Sequence, residues 1–131
     1  MYSTSQTCLR LVPLFLLLFL TGCITPPTVE QVATADYGEP PPATYQKLIK
    51  EHMEGVLFDP YSAHYKFEEP QKGYAYVLGR RTPPVFGYLV FVGIDAKSLI
   101  GNYLGEKQFR FLFKDDLYWM LSDHMKAEIV R

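Results

Sequence analysis

Hydrophobic residues between positions 45 and 56 recur at the spacing of one face of an amphipathic helix. They fall at i, i+3, i+4, i+7 and i+11, with one histidine among them: Tyr45, Leu48, Ile49, His52 and Val56. Charged residues occupy the other side, so one face suits a core and the other suits water. Thr44 is the predicted N-cap. Gly55 and then Asp59-Pro60 end the helix, since the residue before a proline is pushed out of the helical region.

From about residue 64 the spacing of the hydrophobic residues changes from 3.6 residues to two, which predicts strands. The segment 85–94 (VFGYLVFVGI) is apolar almost throughout. This is typical of a strand covered on both faces, so we predict it to be the central strand. Turns are predicted at Pro70 to Gly73 and, more tightly, at Asp115-Asp116. The predicted strands are 64–68, 73–79, 85–94, 109–113 and 117–121.

One helix followed by four or five consecutive strands leaves no room for parallel crossovers, which need about a dozen residues each. The sequence therefore predicts an α+β fold, in which one N-terminal amphipathic helix packs on a four- or five-stranded antiparallel sheet arranged as a meander. Residues 59–63 are predicted to form a single capped helical turn. Residues 95–106 are predicted to be an irregular Gly-rich loop, and residues 122–131 a short helix.

A different pattern occupies the first 23 residues. The run LVPLFLLLFL at 11–20 holds nine apolar residues and one proline, and Arg10 precedes it. As a helix this run would span about 15 Å, roughly half of a hydrocarbon core of about 30 Å. The pattern therefore favours the h-region of a signal peptide over a membrane-spanning helix.

The next residues, Leu20-Thr21-Gly22-Cys23, resemble the lipobox of bacterial lipoproteins. The resemblance implies that residues 1–22 are removed, that the Cys23 sulfur carries diacylglycerol and that its new amine carries an acyl chain such as palmitate. Because Ile24 follows, where inner-membrane retention uses Asp, it also implies an outer-membrane anchor with the domain in the periplasm, or exposed at the surface. The alternative is an uncleaved anchor in which Cys23 is only a small apolar residue.

Residues 23–42 are predicted to form a lipidated tether and residues 43–131 a single domain. Five prolines lie between positions 24 and 42. A semi-rigid linker of this kind reaches at most about 60 Å, at roughly 3.1 Å per residue. Removal of Cys8 and acylation of Cys23 would leave no free thiol, which excludes disulfides, cysteine nucleophiles and cysteine-ligated zinc.

The composition of the chain argues against several classes of protein. The formal net charge is −1, from 13 basic and 14 acidic residues, so the basic surface that a nucleic-acid binder needs is absent. Hydrophobic residues make up 48% of the chain, which is too apolar for a disordered protein. No nucleotide-binding or nucleophile motif occurs, so we predict no cofactor and no catalytic residue.

Four short motifs in the domain resemble those of a group of small proteobacterial envelope lipoproteins without an assigned activity. They are Asp59-Pro60-Tyr61-Ser62-Ala63, Phe86-Gly87-Tyr88, Asp95-Ala96-Lys97 and Gly101-Asn102-Tyr103-Leu104-Gly105. The group's pattern is DPxSA, then Asn-Ala-Lys-Asn and Gly-x-Tyr-x-Gly, so Asp95 and Ser98 here replace asparagines. The resemblance covers about residues 44–114 and implies a fold class but no mechanism.

The loop after the central strand is the first candidate for binding. Gly101 and Gly105 permit positive φ, so the chain can double back there. Short polar side chains in the loop can bond to nearby backbone. The loop is either a structured connection or a recognition loop. In the second case the residues that bind the partner would be Asp95, Lys97, Asn102, Tyr103 and Leu104.

Other polar residues carry weaker signals. The three histidines, His52, His64 and His124, show no metal-binding spacing, so no metal site is predicted, and His52 is expected in the interior. Two carboxylate pairs are interpreted as solvated corners beside turns: Glu68-Glu69 and Asp115-Asp116. Basic residues near the third strand form either a solvated loop or a contact to phospholipid, lipopolysaccharide or acidic glycan: Lys72, Arg80 and Arg81.

Together these patterns predict a non-enzymatic accessory lipoprotein of the outer membrane that binds an envelope protein. The alternative is a glycan- or lipid-binding or enzyme-inhibiting module, in which Tyr74, Tyr76 or Tyr103 stack on sugar rings. Tyrosines that alternate along strands should be half buried in the core, which weakens this alternative. A small envelope hydrolase is the third hypothesis.

Overall fold

The computed structural model describes residues 25–131, which form two helices and one six-stranded antiparallel sheet. The elements are α1 (Val29–Thr34), α2 (Tyr45–Glu54), β1 (Asp59–Phe67), β2 (Gln71–Ala75), β3 (Val85–Lys97), β4 (Lys107–Lys114), β5 (Leu117–Leu121) and β6 (Ala127–Ile129). The mixed class with an antiparallel sheet confirms the coarse prediction, but the sheet has six strands where four or five were predicted, and β6 returns to pair with β2 instead of continuing a meander. The predicted signal peptide and Cys23 lie outside the described residues. Within residues 25–131, no helix has the length and apolar character needed to cross a membrane.

Strand β3 is the centre of the sheet, as the sequence predicted. One edge of β3 pairs with β4, which pairs in turn with β5. The other edge pairs with β2 near the start of β3 and with β1 near its end. The sheet order is therefore β5-β4-β3-β2-β6, with β1 beside the second half of β3.

Strands β1 and β2 lie end to end, separated by a bulge instead of a turn. Phe67 pairs with Val92, and Gln71 pairs with Leu89, so three residues of the outer chain oppose two of β3. The prediction of a turn at Pro70 is wrong. An unpaired bulge position tolerates a proline, because no ladder bond needs the missing N–H.

Both faces of β3 are covered, which explains why its sequence is apolar almost throughout. On one face α2 packs through fully buried Ile49 and Met53. The sheet residues of that cluster are Val90, Val92, Ile94, Phe111 and Phe113. A second cluster lies on the opposite face and consists of Ala75, Leu89, Leu112 and Leu121, with Trp119 and Met125 packed against it. Each large buried side chain contributes about 1.5–3 kcal/mol, so these two clusters hold α2 and the C-terminal segment to the sheet.

Helix α2 has the predicted bounds but a shorter buried stripe. Thr44 is its N-cap residue, although the Thr44 side chain makes no capping hydrogen bond, and Gly55 is its C-cap. His52 is half-buried and meets Phe111 and Tyr118 edge-on at ring-centroid distances of 5.8 and 5.7 Å. Val56 lies beyond the end of the helix and is exposed.

Three connecting segments differ from the prediction. Residues 59–63 belong to β1 and not to a helical turn, although the Asp59 carboxylate still accepts a hydrogen bond from the Ser62 amide at 3.3 Å. Residues 95–97 extend β3, because β1 continues to pair with them. The C-terminal segment contains β6 in place of a helix, since the edge of β2 offers unpaired backbone groups that a third strand can satisfy.

A polar cluster fastens β6 to β2. The Tyr74 hydroxyl donates to the Glu128 carboxylate at 2.5 Å, and the Lys126 ammonium lies 2.8 Å from the same carboxylate. The bonds from Lys126 and Tyr74 lower the pKa of Glu128. Burial, followed by the bond to Glu128, raises the pKa of Tyr74.

Residues ahead of position 43 also contact the sheet. Helix α1 begins with a capping box formed by Thr28 and Gln31. Beyond it, the Tyr37 ring meets Phe86 edge-on at 5.6 Å, and the Glu39 amide donates to the Asp115 carboxylate at 3.0 Å. The Asp115 turn is confirmed, with φ of 52°, and it is a docking point as well as a solvated corner.

We predict that Gly87→Ala will destabilise the fold, because a Cβ at this position would lie 2.3 Å from the Phe113 carbonyl oxygen. Overpacking of this kind costs about 1–3 kcal/mol. Urea denaturation measures the effect. Gly55→Ala is the matched control, since its Cβ would meet only the His52 carbonyl, at 3.6 Å, and stability should change little. Equal effects of the two changes would contradict this account of β3 packing.

We expect the attachment of β6 to depend on pH through Glu128. The pKa of Glu128 is lowered below its ordinary 4.5, so its stabilising contribution is present above pH 4.5 and is lost as pH falls through the folded value. Urea denaturation should therefore show wild type more stable than Glu128→Gln at neutral pH, by a small margin because the pair is exposed. The margin should close in acid. Glu68→Gln is the control, and a margin that stays constant with pH would disprove the linkage.

Candidate functional site

The loop after β3 is closed by its own backbone. The Ser98 amide donates to the Asn102 carbonyl at 2.9 Å, and the Gly101 amide donates to the Ser98 carbonyl at 2.9 Å. Lys97 and Tyr103 then form an antiparallel bridge, which brings the two ends of the loop together. Gly101 and Gly105 have φ of 81° and 88°, so the predicted need for positive φ is confirmed. The loop is an ordered hairpin-like connection.

Ser62 of β1 ties this loop to the sheet. Its hydroxyl oxygen accepts from the Lys97 amide at 2.9 Å and donates to the Asp59 carbonyl at 2.8 Å. Its carbonyl accepts from the Tyr103 hydroxyl at 3.2 Å. One small residue thus holds an irregular stretch of β1, the end of β3 and the far side of the loop in a fixed arrangement.

The Tyr103 ring contacts two side chains. It stacks on His64 with ring centroids 5.2 Å apart and an interplanar angle of 17°. The Lys97 ammonium lies 5.5 Å from the Tyr103 ring centroid, a cation–π contact. Tyr103 remains 44% exposed, so part of its ring is available to a ligand.

Three of the four sequence motifs meet in space at this loop, whereas Phe86-Gly87-Tyr88 lies near the start of β3 and pairs with β2. The Asp95 carboxylate accepts from the Gly105 amide at 3.1 Å, a bond that aspartate provides as well as asparagine would. Asp59 and Ser62 bond to each other and, through Ser62, to the segment after Asp95. Asn102 contributes its backbone carbonyl, and its side chain is exposed. These residues therefore shape the loop, and most of their polar atoms are used inside the protein.

Next to this loop lies an apolar depression of about 220 Å³, which we call the Leu104 groove. Three large apolar side chains on it are exposed: Val56 at 47%, Phe58 at 66% and Leu104 at 62%. Its other lining residues include Ile94, Ala96, Phe109 and two lysines, Lys97 and Lys107. The Ser98 hydroxyl also lines it and is buried without a hydrogen-bond partner among the described residues. The groove thus combines an apolar floor with cationic neighbours and one unused polar group.

Of the five predicted binding residues, Lys97 and Leu104 line the groove. Asp95 and Tyr103 lie in the adjoining loop, where their side chains bond to the Gly105 amide and the Ser62 carbonyl. Sequence analysis missed Val56, Phe58 and His64. Val56 was assigned to the helix stripe, although it follows the C-cap Gly55. Phe58 could have been identified from the sequence, because it is an apolar residue in the short connection between the predicted end of the helix and Pro60. His64 gave no signal, because its partner Tyr103 is 39 positions away in the sequence.

Other predicted candidates are not part of the groove. Tyr74 and Tyr76 are only 5% and 4% exposed, so the hypothesis that they stack on sugar rings is wrong. Their ring centroids lie 6.2 Å apart in an edge-on arrangement, and β6 pairs with the edge of β2 beside them. Among residues 25–131, no group of three or more His, Cys, Asp or Glu side chains is arranged to hold a metal ion.

Comparison of the chain with known protein families, with curated proteins and with solved structures found no match.

We predict that Ser62→Ala will loosen the loop. The change removes the acceptor of the Lys97 amide, and an unpaired, partly buried donor costs about 1–3 kcal/mol. Hydrogen exchange should become faster in residues 97–105, and urea denaturation should show the loss of stability. Ser122→Ala is the control, since Ser122 is exposed and the substitution keeps its carbonyl, which accepts from Arg110 and from the Met125 amide. Unchanged exchange in Ser62→Ala would refute the role given to this serine.

Proposed function

We propose that this protein is an outer-membrane lipoprotein, anchored through lipid on Cys23, whose periplasmic domain is a non-enzymatic accessory that binds an envelope protein at the Leu104 groove. The observation that carries the anchor is the sequence Leu20-Thr21-Gly22-Cys23 at the end of an apolar run, within 25 residues of Met1. Several acyl chains on one cysteine would bind a membrane far more firmly than the single chain that gives only reversible attachment.

The exposed apolar residues of the groove support the binding role. Leaving Phe58 and Leu104 in water forgoes about 1.5–3 kcal/mol for each side chain that a partner could bury. Contiguous exposed apolar surface is characteristic of protein-binding sites. Lys97 and Lys107 at the groove would favour a partner segment that carries apolar side chains together with carboxylates.

The rigidity of the loop supports the same proposal. Ser62, Asp95 and the Lys97–Tyr103 bridge hold the loop before any partner arrives. A surface that is already ordered loses less conformational entropy on binding, so more of the contact energy becomes affinity. This explains how motif residues with internal hydrogen bonds contribute to binding without touching the partner themselves.

Neither predicted carboxylate pair is part of the proposed binding site. Glu68 and Glu69 are exposed at the bulge between β1 and β2, and Asp115 is bonded to the Glu39 amide. Neither pair lines the Leu104 groove. The proposal accordingly assigns no catalytic residue.

Glycan binding is the second candidate, and Tyr103 is the residue that favours it. Its ring is partly exposed and is already stacked on His64. Aromatic rings held in this way provide flat faces for sugar rings. Titration with muropeptides, followed by tyrosine and Trp119 fluorescence, tests this candidate, and an unchanged signal up to millimolar ligand would reject it.

A photo-crosslinking experiment in intact cells tests the leading proposal. A photoreactive residue at Phe58 should capture a discrete envelope protein, whereas one at Leu117 should not. Leu117 is the matched control, because it is 62% exposed, close to the 66% of Phe58, and does not line the groove. Membrane fractionation of wild type and Cys23→Ser completes the test. The variant should leave the outer-membrane fraction and lose the crosslink.

The outcomes separate the two parts of the proposal. If Cys23→Ser fractionates and crosslinks like wild type, the lipid anchor is wrong. If wild type is in the outer membrane but neither position captures a protein, binding of a protein at the groove is wrong. Equal capture from Phe58 and Leu117 would show that proximity alone produces the crosslink, and this too would reject the groove.

A further inference from the structure

A second cavity, of about 500 Å³, lies between the segment after β2, strand β4 and the chain that leads into β6. Its lining includes three cationic side chains, Arg80, Arg110 and Lys126, together with Tyr76 and Asp123. It lies away from the Leu104 groove: Phe109, which lines the groove, and Arg110 are consecutive in β4, so their side chains point to opposite faces of the sheet.

The Tyr76 hydroxyl is an unused buried donor at this cavity. Tyr76 is 96% buried, and its hydroxyl oxygen has no hydrogen-bond partner among residues 25–131. Buried polar groups in folded proteins are almost always bonded, so an exception needs an explanation. The neighbouring Tyr74 hydroxyl donates to Glu128, so it does not explain the unpaired Tyr76 hydroxyl.

Arg110 is held in place by hydrogen bonds that use only some of its N–H donors. Its Nη2 donates to the carbonyls of Ser122 and Met125, at 2.8 and 3.3 Å. A guanidinium has five N–H donors, so the groups on Nε and Nη1 remain for a ligand. The two carbonyl bonds fix the plane of the guanidinium, which lowers the entropic cost of using those remaining donors.

The remaining charges favour an anion. Arg80 is exposed and forms no ion pair among the described residues. It is near enough to Lys126 for the two positive charges to repel each other. Lys126 and Tyr74 both bond to Glu128, so the charge of Lys126 is already paired. Among the charged side chains that line the cavity, this leaves one carboxylate and two cations that form no ion pair among the described residues. They are Asp123, Arg80 and Arg110. Because the Tyr76 hydroxyl is buried, a ligand oxygen reaches it only when a neighbouring side chain moves, and Arg80 and Lys126 are long, exposed side chains that line the same cavity.

We propose that this cavity binds a phosphate group, with Tyr76 and Arg110 donating hydrogen bonds from its floor and Arg80 neutralising charge at its rim. Donors that approach from several sides suit a tetrahedral group with three or four acceptor oxygens better than a planar carboxylate. The phosphate could belong to a small soluble ester or to a phospholipid headgroup. Both present the same oxygens, and the site requires no contribution from the lipid anchor.

The test uses the full chain purified from membranes in a non-ionic detergent. Thermal unfolding is followed while inorganic phosphate replaces chloride at constant ionic strength, since a ligand that binds the folded state raises the midpoint. Wild type should shift upward. Tyr76→Phe should fold at least as stably as wild type without phosphate and should lose the shift. Arg80→Gln should require about tenfold more phosphate, because it removes one charge-assisted contact.

Arg81→Gln is the matched control, because Arg81 is an exposed neighbour of Arg80 that does not line the cavity. It should respond to phosphate like wild type. A parallel titration with glycerophosphoglycerol, a soluble diester headgroup, distinguishes the sources. A stronger response to inorganic phosphate supports a free phosphate or monoester, and a stronger response to the diester supports a lipid headgroup.

Three results would overturn the proposal. The first is the absence of a shift with either compound. The second is an equal loss in Arg80→Gln and Arg81→Gln, which would mean that the response reflects overall charge. The third is a full response in Tyr76→Phe, which would leave the buried hydroxyl without the role assigned to it.

Discussion

The structure depends on one strand, β3, whose backbone is paired on both edges and whose side chains are buried on both faces. A strand in this position has no edge or face that requires polar residues, and its sequence is accordingly apolar almost throughout. Each other strand reaches its place through pairing with β3 or with a neighbour of β3. Helix α2 packs on one of the two faces, and the C-terminal segment covers part of the other.

The proposed binding surface follows from the end of that strand. Where β3 leaves the cover of α2, its last residues still pair with β1, and Ser62 bonds to the Lys97 amide. The chain must then reverse to enter β4, and the positive φ of Gly101 and Gly105 makes this reversal possible. Apolar side chains that lie past the end of α2 remain uncovered there. Order in the backbone and exposure of apolar side chains thus arise at the same place, for one geometric reason.

The two candidate sites differ in the chemistry that they offer. The Leu104 groove presents apolar side chains on a surface whose polar atoms are mostly satisfied internally. The second cavity presents donors that are unsatisfied, including the buried hydroxyl of Tyr76. Hydrophobic contact adds affinity without strict geometry, whereas unsatisfied donors select particular oxygens. A protein segment at one site and a phosphate group at the other therefore need not compete.

Local patterns in the sequence determined α2, the central strand, the hairpin at Asp115-Asp116 and the positive φ of two glycines, because each depends on spacing or backbone sterics within a few residues. They also located the loop after β3. The lipobox, and with it the proposed anchor, rests on sequence alone. Only the tertiary structure decided that the C-terminal segment is a strand, since the free edge of β2 supplies its partners. It likewise decided that Tyr74 and Tyr76 are buried and that His64 stacks on Tyr103. Contacts between distant positions leave no periodic signal, so burial and pairing at these residues follow from the assembled sheet.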